Sequence, residues 1–133
     1  MNIGIIPASW SGPLLSILRI MTGLLFLAHG TTKFLGFPAT QMTPAPGAAM
    51  DTMTIVTGTL EVVGGALIVL GLFTRITAFI LSGFMAVGYF MAHAPQNFHP
   101  ILNHGELAIM FCFVFLYLAA AGAGPWSIDA RRP

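Results

Sequence analysis

A chain of 133 residues with 56% hydrophobic and only 7% charged residues cannot clothe a water-facing surface, since soluble domains carry about 25% charged residues. A formal net charge of +1 supplies neither a basic patch for nucleic acid nor an acidic tail, and a mean hydropathy of +0.88 makes the bilayer the natural solvent. The length suits one domain, residues 1–133, and Cys112, the sole cysteine, excludes an internal disulfide.

The expected fold class is all-α, an integral membrane bundle of four antiparallel helices. A spanning helix takes roughly 20 mostly apolar residues. The first candidate follows Pro13 and covers about 14–36. No Lys or Arg precedes Arg19, which lies inside the apolar run, so the pattern of a cleavable signal peptide is not met and the segment is expected to be retained. Residues 37–52 carry Pro38, Pro44 and Pro46 and read as an ordered or semi-rigid loop. The second span covers about 53–73. Thr74 and Arg75 then make a very tight link to the third, 76–92, which reads as an antiparallel hairpin. A polar loop rich in His and Pro (HAPQNFHPILNH, 93–104) leads to the fourth span, about 105–123. Strands are excluded because alternation is absent and Ala, Leu, Met and Gly outnumber β-branched residues, and the length is too small for a transmembrane barrel.

Four spans place both termini on one side of the membrane. Arg75, Arg131 and Arg132 fall on that side, whereas the other loops offer only Lys33 near a helix end. The excess of positive charge makes that side cytoplasmic, with Trp10 and Trp126 at its interface.

Ionisable side chains in lipid are costly, so they are expected to face protein and have partners. Counting from the cytoplasmic end of each span at the helical rise puts His29 at ~22 Å, Lys33 at ~28 Å and Glu61 at ~18 Å. His93 falls at ~26 Å and Glu106 at ~27 Å on the same scale. All four helices thus present such a group in the outer half of the bundle, and convergence on a common interior space is expected, with Lys33 at its rim. For His29, Lys33, His93 and Glu106 a plainer explanation is snorkelling to water from a helix end. Glu61 resists it, because it lies well inside its span between GTL and VVGG and needs Lys33, a histidine or its own proton. Gly58 and Gly65 share its face, where small residues allow close helix approach or leave room for a bound ring; plain packing is the simpler role.

Arg19, ~8 Å from the cytoplasmic end, is expected to pair with Asp129 and pin the C-terminal segment. His93, His99 and His104 share one loop, but their spacing matches no standard metal motif. His29 and His93 are formally able to be axial haem ligands, yet buried His paired with Glu is the commoner arrangement, so neither metal nor haem is expected. Phe111, Phe113, Phe115 and Tyr117 on the fourth span read as lipid-facing bulk. No phosphate loop, nucleophile triad or CxxC occurs.

The segments LRIMTGLLFLAHGTTKFLG and LEVVGGALIVLGLFTR, a His after the third span, GE opening the fourth and GAGPWSID closing it occur in this order over almost the whole chain. Together they resemble the DoxX family. The resemblance implies a four-helix protein of the bacterial inner membrane, related to the DoxD-type subunit of a thiosulfate:quinone oxidoreductase and hence linked to electron transfer to quinone. The family's polar positions fall on Arg19, His29, Lys33, Glu61, Arg75, His93, Glu106 and Asp129. The loop between the first two spans is longer than the family pattern.

Two functions compete. One is a redox-linked membrane subunit in which His29, Glu61, His93 and Glu106 handle protons, while His29, Lys33, Glu61 and His93 contact a quinone. The other is a non-catalytic accessory or assembly subunit that docks to a larger membrane complex through its long outer loop. Solute or proton transport fits less well, because four short helices leave little room for a pathway without oligomerisation. The expected partners are the lipid bilayer and a larger complex or further copies of the chain.

Overall fold

The computed structural model describes residues 3–41 and 43–133; Met42, in the loop after the first span, lies outside them. All regular structure among the described residues is helical. After a single turn at Ala8–Trp10, α1 runs Ser11–Leu35. The remaining helices are α2 Thr52–Leu70, α3 Thr74–His93, α4 Pro100–Asn103 and α5 Glu106–Ala121, and the chain ends in a short turn at Asp129–Arg131. The first three long helices are long and apolar enough to cross a membrane, whereas the fourth span is realised in only 16 residues.

Helix ends follow local chemistry. α1 stops where Gly36 takes a left-handed conformation. The Asp51 carboxylate caps α2 by accepting from Thr54 N at 2.7 Å. α2 ends with Gly71 N bonded to Ile68 O at 3.1 Å and Leu72 N to Leu67 O at 3.0 Å, the paired bonds of a glycine-terminated helix. Gly71 has φ +66, and a Cβ there would collide with Ser127 and Arg19.

The chain divides into two compact units, one holding the chain to Leu72 together with Ala123–Pro133, the other Phe73–Gly122. Thr74 and Arg75, expected to form the tight link, are instead the first residues of α3, the link being residues 71–73, and each unit is closed by its own helix pair.

In the first unit α1 and α2 run antiparallel. Gly23 lies against Val69 and Gly65, Leu27 against Gly65, Gly30 against Val62, and Phe34 against Gly58, so numbers fall along α2 as they rise along α1. At Gly65 the approach is so close that a Cβ would stand 2.9 Å from the Leu27 backbone. Gly58 and Gly65 are therefore packing residues, as the simpler expectation had it, and Phe34 fills the space at Gly58. The C-terminal segment returns to this unit, where Ile128 N bonds to Leu70 O at 3.2 Å and Asp129 N to Gly71 O at 2.9 Å.

In the second unit α3 and α5 are also antiparallel. Arg75 Nη1 donates to Ala119 O at 3.2 Å and to Ala120 O, and Ser82 Oγ donates to Cys112 O at 2.8 Å. The aromatic residues of α5 do not all face outward as expected. Phe113 and Tyr117 are exposed, but Phe111 and Phe115 are buried and stack at 5.8 Å, because positions four apart share one helix face.

Candidate functional site

Lys33, on the last turn of α1, reaches across the helix pair to Glu61. Its Nζ donates to Glu61 Oε1 and Oε2, both at 2.8 Å, and to Thr57 Oγ1 at 3.2 Å. Three acceptors match the three N–H bonds of an ammonium. Thr57 can accept because its own hydroxyl donates to Met53 O at 2.9 Å. The carboxylate is the deeper partner, with side chains 8% exposed at Glu61 and 31% at Lys33, so Lys33 is the member a ligand would meet. Glu61 sits where α2 widens into a π-type turn, Leu60–Gly64. Such turns are rare and frequently mark functional positions.

A second widened turn, Tyr89–His93, ends α3 and is closed by Ala94 N bonded to Tyr89 O at 2.9 Å. The His93 ring stacks on Tyr89 at 6.2 Å, and its Nδ1 lies 2.9 Å from Asn103 O. A carbonyl only accepts, so Nδ1 carries the proton and Nε2 keeps a lone pair in the neutral ring. Asn103 organises this end of the unit. It is fully buried, donates to Tyr89 Oη at 3.1 Å and Asn97 O at 2.9 Å, and accepts from Gly105 N at 2.8 Å.

His29 and Glu106 are exposed, while His93 is half-buried. Of the sequence-selected groups, the structure brings Lys33 and Glu61 into contact within the first unit and sets His93 in a hydrogen-bonded cap within the second. Thr57, Tyr89 and Asn103 were not anticipated. For Thr57 the signal was present, since it lies four residues before Glu61 on the same helical face. Among the described residues no three His, Cys, Asp or Glu side chains gather as metal ligands.

Arg19 departs from expectation in an informative way. The side chain is 0% exposed, and four backbone carbonyls accept its hydrogen bonds. Nη1 donates to Ile68 O at 2.7 Å and Val69 O at 2.6 Å, Nη2 to Trp126 O at 2.5 Å and Nε to Ala123 O at 2.8 Å. Asp129 contributes through its charge. The cation thus meets the last carbonyls and the negative dipole end of α2. The C-terminal segment is pinned as expected, chiefly through carbonyls.

The chain has relatives among known proteins. It matches the DoxX family over residues 14–94, which takes in most of α1 and all of α2 and α3. The chain belongs to the DoxX family. An uncharacterized protein of Haemophilus influenzae is 48% identical over 120 residues, 88% of this chain and 89% of that one. The inner membrane protein YqjF of Escherichia coli is 31% identical over 115 residues, 85% of this chain and 87% of the relative. A Bacillus subtilis protein named "Putative oxidoreductase CatD" is 26% identical over 113 residues, 85% of this chain and 82% of its own. No solved structure matches. This DoxX protein is accordingly an all-α membrane protein built from two antiparallel pairs of apolar helices in contact with the lipid bilayer.

Proposed function

We propose that this DoxX-family protein is a redox-linked subunit of the bacterial inner membrane that engages a quinone-type ring at the Lys33–Glu61 pair, with both termini cytoplasmic. The observation that carries this reading is a carboxylate and an ammonium held at 2.8 Å inside a span, the carboxylate on a widened turn. The name of the Bacillus subtilis relative supports a redox setting.

A quinone exchanges two electrons together with two protons, and the chain's own residues are suited to the proton side. Lys33, the more exposed partner, donates to a ring oxygen. Glu61 takes a proton from a ring hydroxyl and gives it up again. Thr57 steadies the ammonium while its carboxylate partner is neutral. His29, four residues before Lys33, and His93 and Glu106 in the other unit are the further proton-handling groups of the proposal. Electrons pass to a partner subunit, so the reading includes a larger membrane complex.

One observation favours the second reading, a non-catalytic accessory subunit: every ammonium proton of Lys33 already has an acceptor within the protein, which is how a purely structural ion pair looks. Gentle purification from native membranes followed by solvent extraction separates the two. The quinone reading expects extractable quinone with the wild type, and its loss together with quinone-linked turnover in a folded Glu61→Gln variant. Absence of quinone, or an equal amount in both proteins with only the melting temperature lowered, would establish the accessory role. Reporter fusions test the orientation, with cytoplasmic behaviour expected after Pro133 and periplasmic behaviour in 94–104.

A further inference from the structure

The segment between α3 and α5 has the composition of a polar loop, yet its apolar side chains stand outermost. Phe98 is 87% exposed, Ile101 71% and Leu102 59%. They are not on a loose strand of chain. α4 carries Ile101 and Leu102, and Asn103, which follows them, is locked by its three side-chain hydrogen bonds. Leu102 N and Asn103 N both bond to His99 O, at 2.9 and 3.0 Å, and the His99 ring meets Phe98 edge-on at 5.4 Å. His99 N bonds to Asn97 Oδ1 at 2.9 Å, which holds the residues beside Phe98 in one conformation. The loop therefore presents a fixed apolar surface.

Two features identify what covers it. α5 has 16 residues and so spans about 24 Å, short of the ~30 Å hydrocarbon thickness of a bilayer. The loop is also flanked along the chain by exposed apolar residues on both sides, Phe90 and Met91 on α3 and Leu107 and Met110 on α5, with a few exposed polar residues such as Gln96 and His104 between. Water is an unfavourable solvent for a rigid apolar surface in that position, and the bilayer edge is already adjacent to it.

We propose that residues 98–102 form a membrane-inserted cap, with Phe98, Ile101 and Leu102 seated in the bilayer at the edge of its hydrocarbon region, completing the short fourth span, while Gln96 stays in water. The occupant of this surface is lipid, not a protein partner. The test uses the full-length protein in vesicles of phosphatidylethanolamine and phosphatidylglycerol. Cys112→Ser removes the sole cysteine, and single cysteines replace Gln96, Phe98, Ile101, Leu102 or Met110 for nitroxide labelling; all five positions are exposed, so the variants keep the core. Collision with oxygen reports lipid and collision with a nickel chelate reports water. The oxygen-to-nickel ratio at 98, 101 and 102 should resemble that at 110 and exceed that at 96 several-fold. A nickel-dominated signal at 98, 101 and 102 would place the loop in water and overturn the proposal. Low access to both reagents would mean a second copy or another protein covers the surface, and would overturn it equally. If a labelled variant aggregates, Phe98→Trp in a Trp10→Phe, Trp126→Phe background gives the same answer through quenching by brominated lipids, expected strong and overturned by its absence.

Discussion

Both helix pairs use an arginine from their first helix to hold the carbonyls at the end of their second, but they do so under opposite conditions. Arg19 is sealed from solvent and bonds four carbonyls, two on α2 and two on the returning C-terminal segment. Arg75 is exposed and bonds two, Ala119 O and Ala120 O, both on α5. The first pair then adds an ion pair and glycine-mediated contact, the second a hydroxyl–carbonyl bond and stacked aromatic rings. A buried cation with several backbone acceptors is costly to remove, because the carbonyls it leaves behind have no water to turn to. An exposed one has solvent as a substitute. The same residue type at the same place in a helix pair is a structural centre in one unit and a surface cap in the other.

The comparison is broken most directly by removing each arginine in turn. Arg19→Leu should destabilise the protein by about 4 kcal/mol and expose 123–133 to protease and to fast amide exchange. Arg75→Leu should cost about 0.5 kcal/mol, the scale of a surface charge at a helix C-terminus. Thermal unfolding in detergent measures both. Equal effects would mean that burial does not set the difference.

A smaller effect sharpens the contrast between an ionic and a neutral helix pair. Glu61→Gln should cost about 3 kcal/mol, since it leaves the Lys33 ammonium without a counter-charge. Replacing both partners, Lys33→Met with Glu61→Leu, should recover most of that loss, because apolar substitutes for a buried ion pair are often neutral. Recovery of stability without recovery of bound quinone would show that the charges are kept for chemistry. A double variant as unstable as the single one would show that the pair's value is not electrostatic.

How much of this was legible in sequence varies with what each feature depends on. The helices were, because hydropathy over some 20 residues needs no tertiary information: expected spans of 14–36, 53–73, 76–92 and 105–123 became 11–35, 52–70, 74–93 and 106–121. Lys33 and Glu61 were legible because each is a lone charge in an apolar run and lipid forces them to find partners. The main partners of Arg19 were not, since backbone carbonyls carry no residue identity and Asp129 was the acid within reach. The widened turns were also hidden, because one extra residue in a helix leaves no periodic trace over a five-residue stretch. Asn103 looked like any loop amide; its importance lies in burial, which only the folded chain creates.

The smallest expected effect lies at the N-terminal end of α2, where Asp51 is exposed. The backbone N–H of Thr54 holds the Asp51 carboxyl below the usual carboxylate range, so the folded state binds its proton less readily than the unfolded chain does. The sign follows from linkage: the cap stabilises the helix fully above the unfolded value, about pH 4, and is lost as pH falls through the lower folded value. Asp51→Asn keeps an acceptor for Thr54 N and removes the titration. Melting temperatures of wild type and variant should therefore converge as pH drops below about 4 and differ slightly, in favour of Asp51, above it. A difference that persists unchanged into acid would mean that the carboxylate charge contributes nothing here, and that the cap acts only as a neutral hydrogen-bond acceptor. Because Asp51 stands at the start of α2 and the carbonyls held by Arg19 at its end, the two substitutions probe opposite poles of one helix, and the far larger effect belongs to the pole from which water is excluded.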